Sequence, residues 1–341
     1  MRIDEACEST FARHETFHPR WGWVKKAYDA SLSSPRVFVS DDATLKLGVG
    51  KNMVKSIRFW GHAFRALTFE ADGKSTRAGV SVPSTIGSAI FDKNGWDPFT
   101  EEIGTLWLLH WLLLAPKSQM PVWWIAFNEF GAVEFTQQQL TDFVCDQVES
   151  VSTWSAKPHR SSIEKDVSCL LRTYAPSEDL GRRQSFDDIV DCPMREIGLI
   201  RSIDPSGKRF RFAMGSKATL PSEIILYACA DFLARTDSHS RTVTVSRLST
   251  EAGAPGRVFK LSESDLVEAL EHAATTISTI KIARPAGAVQ IAFTSSPAAV
   301  ATEALSSYYR RRNLGVGPTS GVFAGAQADT PNGYKPKVRS K

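Results

Sequence analysis

Cysteine is sparse and unpatterned: Cys7, Cys145, Cys169, Cys192 and Cys229 are odd in number, far apart and form no CxxC pair. That excludes a disulfide framework and a zinc knuckle, and fits a reducing cytoplasm. Long apolar runs are missing too. The longest, LWLLHWLLLA at 106 to 115, is ten residues with His110 inside, about half of what a bilayer crossing needs. It reads as a buried helix, with His110 a hydrogen-bonded core histidine. The opening MRIDEACEST has no apolar signal-peptide core. No Ser-His-Asp or Cys-His arrangement can be picked out by spacing, because such triads assemble only in space. A large charge excess is absent as well: the net charge of +4 does not by itself argue for nucleic acid.

What is present is length and placed charge. The chain has 341 residues, 42% of them hydrophobic, enough for two or three domains with real cores. Residues 10 to 65 carry ten Lys or Arg against four Asp or Glu, whereas residues 66 to 156 carry four against eleven. Within the basic part lies LGVGKNMVKSIRFWGHAF, 47 to 64. Gly48, Gly50 and Lys51 suggest a phosphate-binding loop, but the slot for its first glycine holds Leu45 and the slot for its magnesium-binding hydroxyl holds Asn52. The helix that follows is more informative. Val49, Met53, Ile57, Trp60 and Phe64 share one side, and Lys51, Lys55, Arg58, His62 and Arg65 gather within an arc of roughly 80° on the other. A single-sign stripe suits a polyanion, since each phosphate neutralised releases counterions; the bland alternative is a solvated basic face.

Residues 1 to 155 read as a helical, aromatic-rich N-terminal domain carrying this basic helix. In it Asp97 and Pro98 open the buried helix, and Thr136 with Gln139 forms a capping box. The polar segment SVSTWSAKPHRSS, 150 to 162, is the natural linker. A second domain spans 156 to 312. Ser161 and Glu164 have capping-box spacing there, before a stripe of Ile163, Val167, Leu170, Leu171 and Tyr174. IRSIDPSGKRFRFAM reads as a hairpin with Phe210 and Phe212 inward and Lys208, Arg209 and Arg211 outward. A helix at 221 to 236, the strand RTVTV, a short helix, a helix capped by Ser262 and Asp265, and a hairpin follow, which is the order of a winged helix. Its would-be recognition helix holds Glu263, Asp265, Glu268 and Glu271, a poor match for DNA and a better one for protein contacts. The fold class expected is mainly α (α+β), with winged-helix-like modules and small β-hairpins. Residues 313 to 341 read as a disordered basic tail after Arg310, Arg311 and Arg312.

Candidate chemistry is thin. HETFH, His14 to His18, satisfies the HExxH pattern of zinc proteases, but Pro19 pushes His18 off helical angles, and Arg13 and Arg20 flank it. His14 and Glu15 also suit a more general polar active site. Asp41 and Asp42 suit Mg²⁺, with Ser40 and Asp41 equally good helix caps. Asp187, Asp188 and Asp191 form an acidic cluster in an expected loop.

The stretches RHETFHPRWGWVKKAYDA, SDDATLKLGVGKNMVKSIRFW, GTLWLLHWLLL, AFNEF, SIEKDVSCLLRTY, DCPMREIGLI and GRVFKLSESDL together resemble the SspB-type proteins of bacterial single-strand DNA phosphorothioation systems, from about residue 11 to 310. The family's HETF segment precedes an Arg and a Gly-Trp-Leu-Lys-Lys run, matched by Arg20, Gly22, Trp23, Val24, Lys25 and Lys26. The second histidine is not part of the pattern. The resemblance implies a cytoplasmic DNA-nicking subunit working with a cysteine desulfurase, an ATP-pyrophosphatase-like sulfurtransferase and an ATPase to replace a phosphate oxygen with sulfur. It carries over no catalytic residue. Lys51, Asn52, Lys55 and Arg58, helped by Arg20, Lys25 and Lys26, are the expected phosphate contacts; His14, Glu15, Asp41 and Asp42, with Mg²⁺, are the expected catalytic group. The rival expectation is a non-catalytic DNA-binding adaptor or transcriptional regulator.

Overall fold

The basic stretch is helical from Lys51 to Ala63, starting at Gly50 in an extended conformation. Gly48 ends the preceding helix Ala43–Leu47 in the left-handed region, φ 65°, a conformation that costs side-chain-bearing residues. The helix buries Val54, Ile57 and Trp60 against the helix Trp23–Ser33. Gly61 marks the crossing: a Cβ there would stand 2.8 Å from the Ala27 Cβ and from Leu67, so glycine sets how closely the helices pack. Strands β1 (Leu67–Glu70) and β2 (Val80–Pro83) pair antiparallel beside them. The structure, a computed structural model, describes residues 1–71, 79–175, 192–204, 206–237 and 239–312. The acidic cluster Asp187, Asp188 and Asp191, Pro205 of the hairpin turn, and the tail from Asn313 lie outside the described residues.

The apolar run forms the helix Ile103–Leu114, buried from Gly104 to Leu114, as a helix hydrophobic on all sides must be. It opens at Ile103 after Glu102, not at Asp97 and Pro98 as the sequence suggests. The Asp97 carboxylate instead accepts the Glu101 and Glu102 N–H groups at 2.9 and 3.0 Å, closing a turn ahead of the helix. His110 is the core histidine expected: Nε2 donates to the Val258 carbonyl at 3.0 Å, and Nδ1 accepts from the Tyr174 hydroxyl at 2.8 Å. Arg65 caps the other end of this helix, donating to the carbonyls of Leu112, Ala115 and Pro116.

Two modules share one element order, apart from an extra short helix in the second. The first runs through the helix Pro121–Asn128, β3 (Glu134–Thr136), the helices Gln137–Ser150 and Arg160–Tyr174, β4 (Ile200–Ser202) and β5 (Arg209–Phe212). The second runs through Ser222–Thr236, β6 (Thr242–Thr244), Val245–Thr250, Pro255–Phe259, Glu263–Ala274, β7 (Ile280–Ala283) and β8 (Gln290–Phe293). Each closes a three-stranded antiparallel sheet in which the last strand lies in the middle, β3-β5-β4 and β6-β8-β7. The Thr136–Gln139 and Ser262–Asp265 capping boxes form as read. The Ser161–Glu164 box does not. His159 is the extended residue before the helix, so Ser161 falls inside the first turn, and Glu164 pairs with Arg160 at 3.1 Å. In the first hairpin Phe210 and Phe212 are buried while Arg209 and Arg211 are exposed.

The modules meet through Lys260, whose Nζ donates to the Phe127 carbonyl at 2.7 Å, and through Asn128, whose Oδ1 accepts from the Gly253 N–H. A last helix, Pro297–Arg311, lies along Ser222–Thr236. The result is a mainly helical α+β chain with, among the described residues, three small antiparallel sheets. Its cysteines are free, and among the described residues no helix is long and apolar enough to cross a membrane.

Candidate nucleic-acid interface

The HETF motif is a turn, not a helix. Ala12, Glu15 and Thr16 all have positive φ, at 54°, 51° and 68°. For residues with side chains such angles cost about 1–3 kcal/mol each and persist only where surroundings impose them. The surroundings here are explicit. Asp166, on the third helix of the first module, accepts the Ala12 N–H with both carboxylate oxygens at 3.0 and 3.1 Å. His14, 1% exposed, places Nε2 2.6 Å from Asp166 Oδ1. Its Nδ1 accepts the Thr16 N–H at 3.1 Å, which leaves the proton on Nε2, donated to Asp166. Burial raises the Asp166 pKa above the ordinary carboxylate value, while His14 and the Ala12 N–H pull it back. His14 is walled by Phe59, Trp60 and Trp123. Both of its nitrogens are engaged, so it shapes the turn.

The turn joins two cationic helices. On one side Lys55 pairs with Glu15 at 3.1 Å, the carboxylate side chain remaining 31% exposed, and Trp60 Nε1 donates to the Phe17 carbonyl. On the other, Arg172 Nη2 donates to the Thr16 carbonyl at 2.7 Å, and Cys169 Sγ to that of Phe17. Arg13 lines a small cleft beside His14 and Asp166, near enough to Arg58 to depress its pKa together with burial, the larger cause. Glu15 is thus half-buried and paired with Lys55, on a turn whose next residue holds Arg172, an arrangement suited to an anion that competes with the carboxylate for Lys55.

The expected phosphate contacts divide. Lys51, Asn52 and Lys55 are exposed on the helix, and Lys26 stands beside them, donating to the Leu47 carbonyl at 3.1 Å. Arg58 turns partly inward, holding the Gly79 carbonyl and the Ser81 hydroxyl and lying over the Phe69 ring. Arg20 is buried against Phe17 and Trp23. Lys25 pairs with Asp29 at 2.6 Å. The basic stripe ends early: His62 is buried, stacked on Phe69 at 3.7 Å, its pKa lowered to about 3 by burial and then by Arg58. Burial, with Arg235 nearby, likewise lowers Arg65 to about 10.

The four expected catalytic residues do not form one ligand group. Asp41 and Asp42 are exposed at the start of Ala43–Leu47, and neither supplies a side-chain cap. Asp42 pairs with Lys46 at 3.0 Å, while Ser40 Oγ bonds back to Val37. Glu15 is held by Lys55 and His14 by Asp166. Among the described residues no group of three or more His, Cys, Asp or Glu is placed to hold a metal ion, and the non-helical turn does not fit the zinc motif. Sequence reasoning missed Asp166, Arg172 and Arg13. The available signal was an aspartate amid the apolar residues of SIEKDVSCLLRTY.

A mainly helical protein with paired helix, strand, helix, helix, hairpin modules and a strained, cation-flanked turn is the class these features define. Residues 11–309 match the family described as Protein of unknown function (DUF4007), and the chain belongs to that family, the SspB type. It is similar to a crystal structure of SspB, with 38% identity, 91% of each chain covered and a TM-score of 0.84. It is also similar to a crystal structure of magnesium ion-bound SspB, with 38% identity, 91% of this chain and 90% of that chain covered and a TM-score of 0.85. The comparison with curated proteins finds no match.

Proposed function

We propose that this protein is the DNA-handling subunit of a bacterial DNA phosphorothioation system, acting with a cysteine desulfurase, an ATP-pyrophosphatase-like sulfurtransferase and an ATPase. In this reading the turn at residues 13 to 17 receives a phosphodiester and the protein nicks the strand to admit sulfur. The carrying observation is the convergence of Lys55, Glu15 and Arg172 on a turn forced into left-handed geometry, within a family match that spans most of the chain. Lys51, Asn52, Lys55 and Lys26 hold phosphates. The first module, read as a winged helix, supplies the DNA-facing scaffold. A phosphate that takes Lys55 releases the Glu15 carboxylate, which accepts a proton as water attacks phosphorus; one P–O ester bond breaks, and its leaving oxygen takes up a proton from Glu15 or solvent.

Supercoiled plasmid incubated with the purified protein, with magnesium and separately with EDTA, tests this. Relaxed circles from the wild type and none from Glu15→Gln are expected. Relaxation that persists in Glu15→Gln removes that residue from the chemistry. No relaxation under any condition leaves the second reading, a non-catalytic DNA-binding adaptor, which the Lys55-bound state of Glu15 and the scattered carboxylates favour.

A further inference from the structure

On the helix Arg160–Tyr174 the core takes Ile163, Val167, Leu170, Leu171 and Tyr174. The N-terminal segment covers Asp166 and Cys169. Between these two buried flanks runs a third stripe, Ser161, Lys165, Ser168 and Arg172, whose spacings of four, three and four residues keep it within an arc of about 60°. Ser161 and Lys165 are exposed, Ser168 and Arg172 half-buried. The stripe contains no acid. Its neighbour Glu164 is bound to Arg160, which also pairs with Asp142 on the helix Gln137–Ser150, so that carboxylate is compensated and drawn aside. Lys165 has no ion-pair partner among the described residues.

The stripe continues into the candidate site. Arg172 Nη2 reaches the Thr16 carbonyl at 2.7 Å, and the adjacent Glu15 meets Lys55 at 3.1 Å. Lysines of the basic helix, the strained turn and the stripe are therefore linked by direct contacts, although they come from segments more than a hundred residues apart. From Ser161 to Arg172 the helix rises about 16 Å, close to five nucleotides at ~3.4 Å per step of one strand.

We infer that Ser161, Lys165, Ser168 and Arg172 form a second phosphate-binding track, which carries one DNA strand from the turn at Glu15 along the third helix of the first module. The inference rests on the proposed function and extends it. Lys165 and Arg172 supply charge-assisted contacts, and the two serine hydroxyls donate to phosphate oxygens, as in backbone positioning without base readout. The weakening from removing these contacts is uniform across DNA sequences.

The test is fluorescence anisotropy of a labelled 20-base-pair duplex with the full-length protein, titrated at several salt concentrations. Lys165→Glu is expected to weaken binding about tenfold and reduce the salt slope by ~1. Lys281→Glu, the same charge change on an exposed strand residue of the second module, leaves the slope unchanged. Adding Lys55→Glu to Lys165→Glu lowers the slope by a further ~1, as expected if one backbone crosses both helices. Circular dichroism melting confirms that Lys165→Glu, an exposed change, remains folded. If Lys165→Glu and Lys281→Glu behave alike while the wild type binds, the track is overturned and the proposed function survives. If the wild type does not bind duplex, both fall.

Discussion

The first and second modules repeat one sheet topology but present opposite charge on the last long helix before the closing hairpin. Arg160–Tyr174 exposes Lys165 and the Ser161 hydroxyl, and its acids are either paired aside or, as with Asp166, buried to fix another segment. Glu263–Ala274 exposes Glu263, Glu268 and Glu271, the last pairing with Arg284 of its own hairpin. Backbone topology alone therefore does not decide what a module touches. The side chains on one helix face do, and here they make one face cationic and the other anionic.

The strongest way to break the comparison is to remove the residue that ties the first module to the N-terminal turn. Asp166→Ala leaves His14 and the Ala12 N–H without their partner, a loss of about 3–5 kcal/mol by analogy with broken buried pairs. Urea unfolding should show it, together with lost DNA binding. Glu268→Ala, exposed in the second module, should change stability by less than ~0.5 kcal/mol. Equal effects would mean that the two helices are not differently used.

Lowering pH is the next largest perturbation. Burial depresses His62 and His110 from 6.5 to about 3, so the unfolded chain binds these protons first. Their contribution is complete above pH 6.5 and is lost as pH falls below it, at ~1.4 kcal/mol per unit for each histidine. The urea midpoint should drop between pH 6.5 and 5, and by less in His62→Phe. A flat profile would show that these rings are not held neutral.

A charge exchange then asks whether charge is the whole difference between the modules. Glu263→Lys with Glu268→Lys should tighten duplex binding several-fold and raise the salt slope by up to ~2. No change would place the distinction in shape. The smallest expected effect tests the loop that separates the helices Gln137–Ser150 and Arg160–Tyr174. Lys157 donates to the carbonyls of Val148, Glu149 and Val151, and Lys157→Met should cost about 1 kcal/mol as those groups lose their donor.

Local signals were readable from the sequence. The Thr136 and Ser262 capping boxes, the inward Phe210 and Phe212, and the helix from Lys51 all depend on residues within one or two turns of each other. The reading failed where a residue had two local partners to choose from. Asp97 closed a turn before the buried helix, and Glu164 took Arg160 instead of capping. It failed more widely where contacts were distant. The geometry of HETF is imposed by Asp166 and Arg172, and the inward fate of His62 and Arg65 depends on Ser81 and on the end of another helix. Periodicity places a side chain on a face and is silent about what that face meets.

Asp166 follows Ala12 by 154 positions, so a ribosome releases the N-terminal turn long before its anchor. At ~5–20 residues per second the interval is about 8 to 30 s. Throughout it the turn lacks the Asp166 carboxylate that fixes Ala12 and His14 and the Arg172 contact to Thr16. The turn's final geometry therefore comes into existence only once the middle of the chain has emerged and folded, so a nascent or truncated product lacks it.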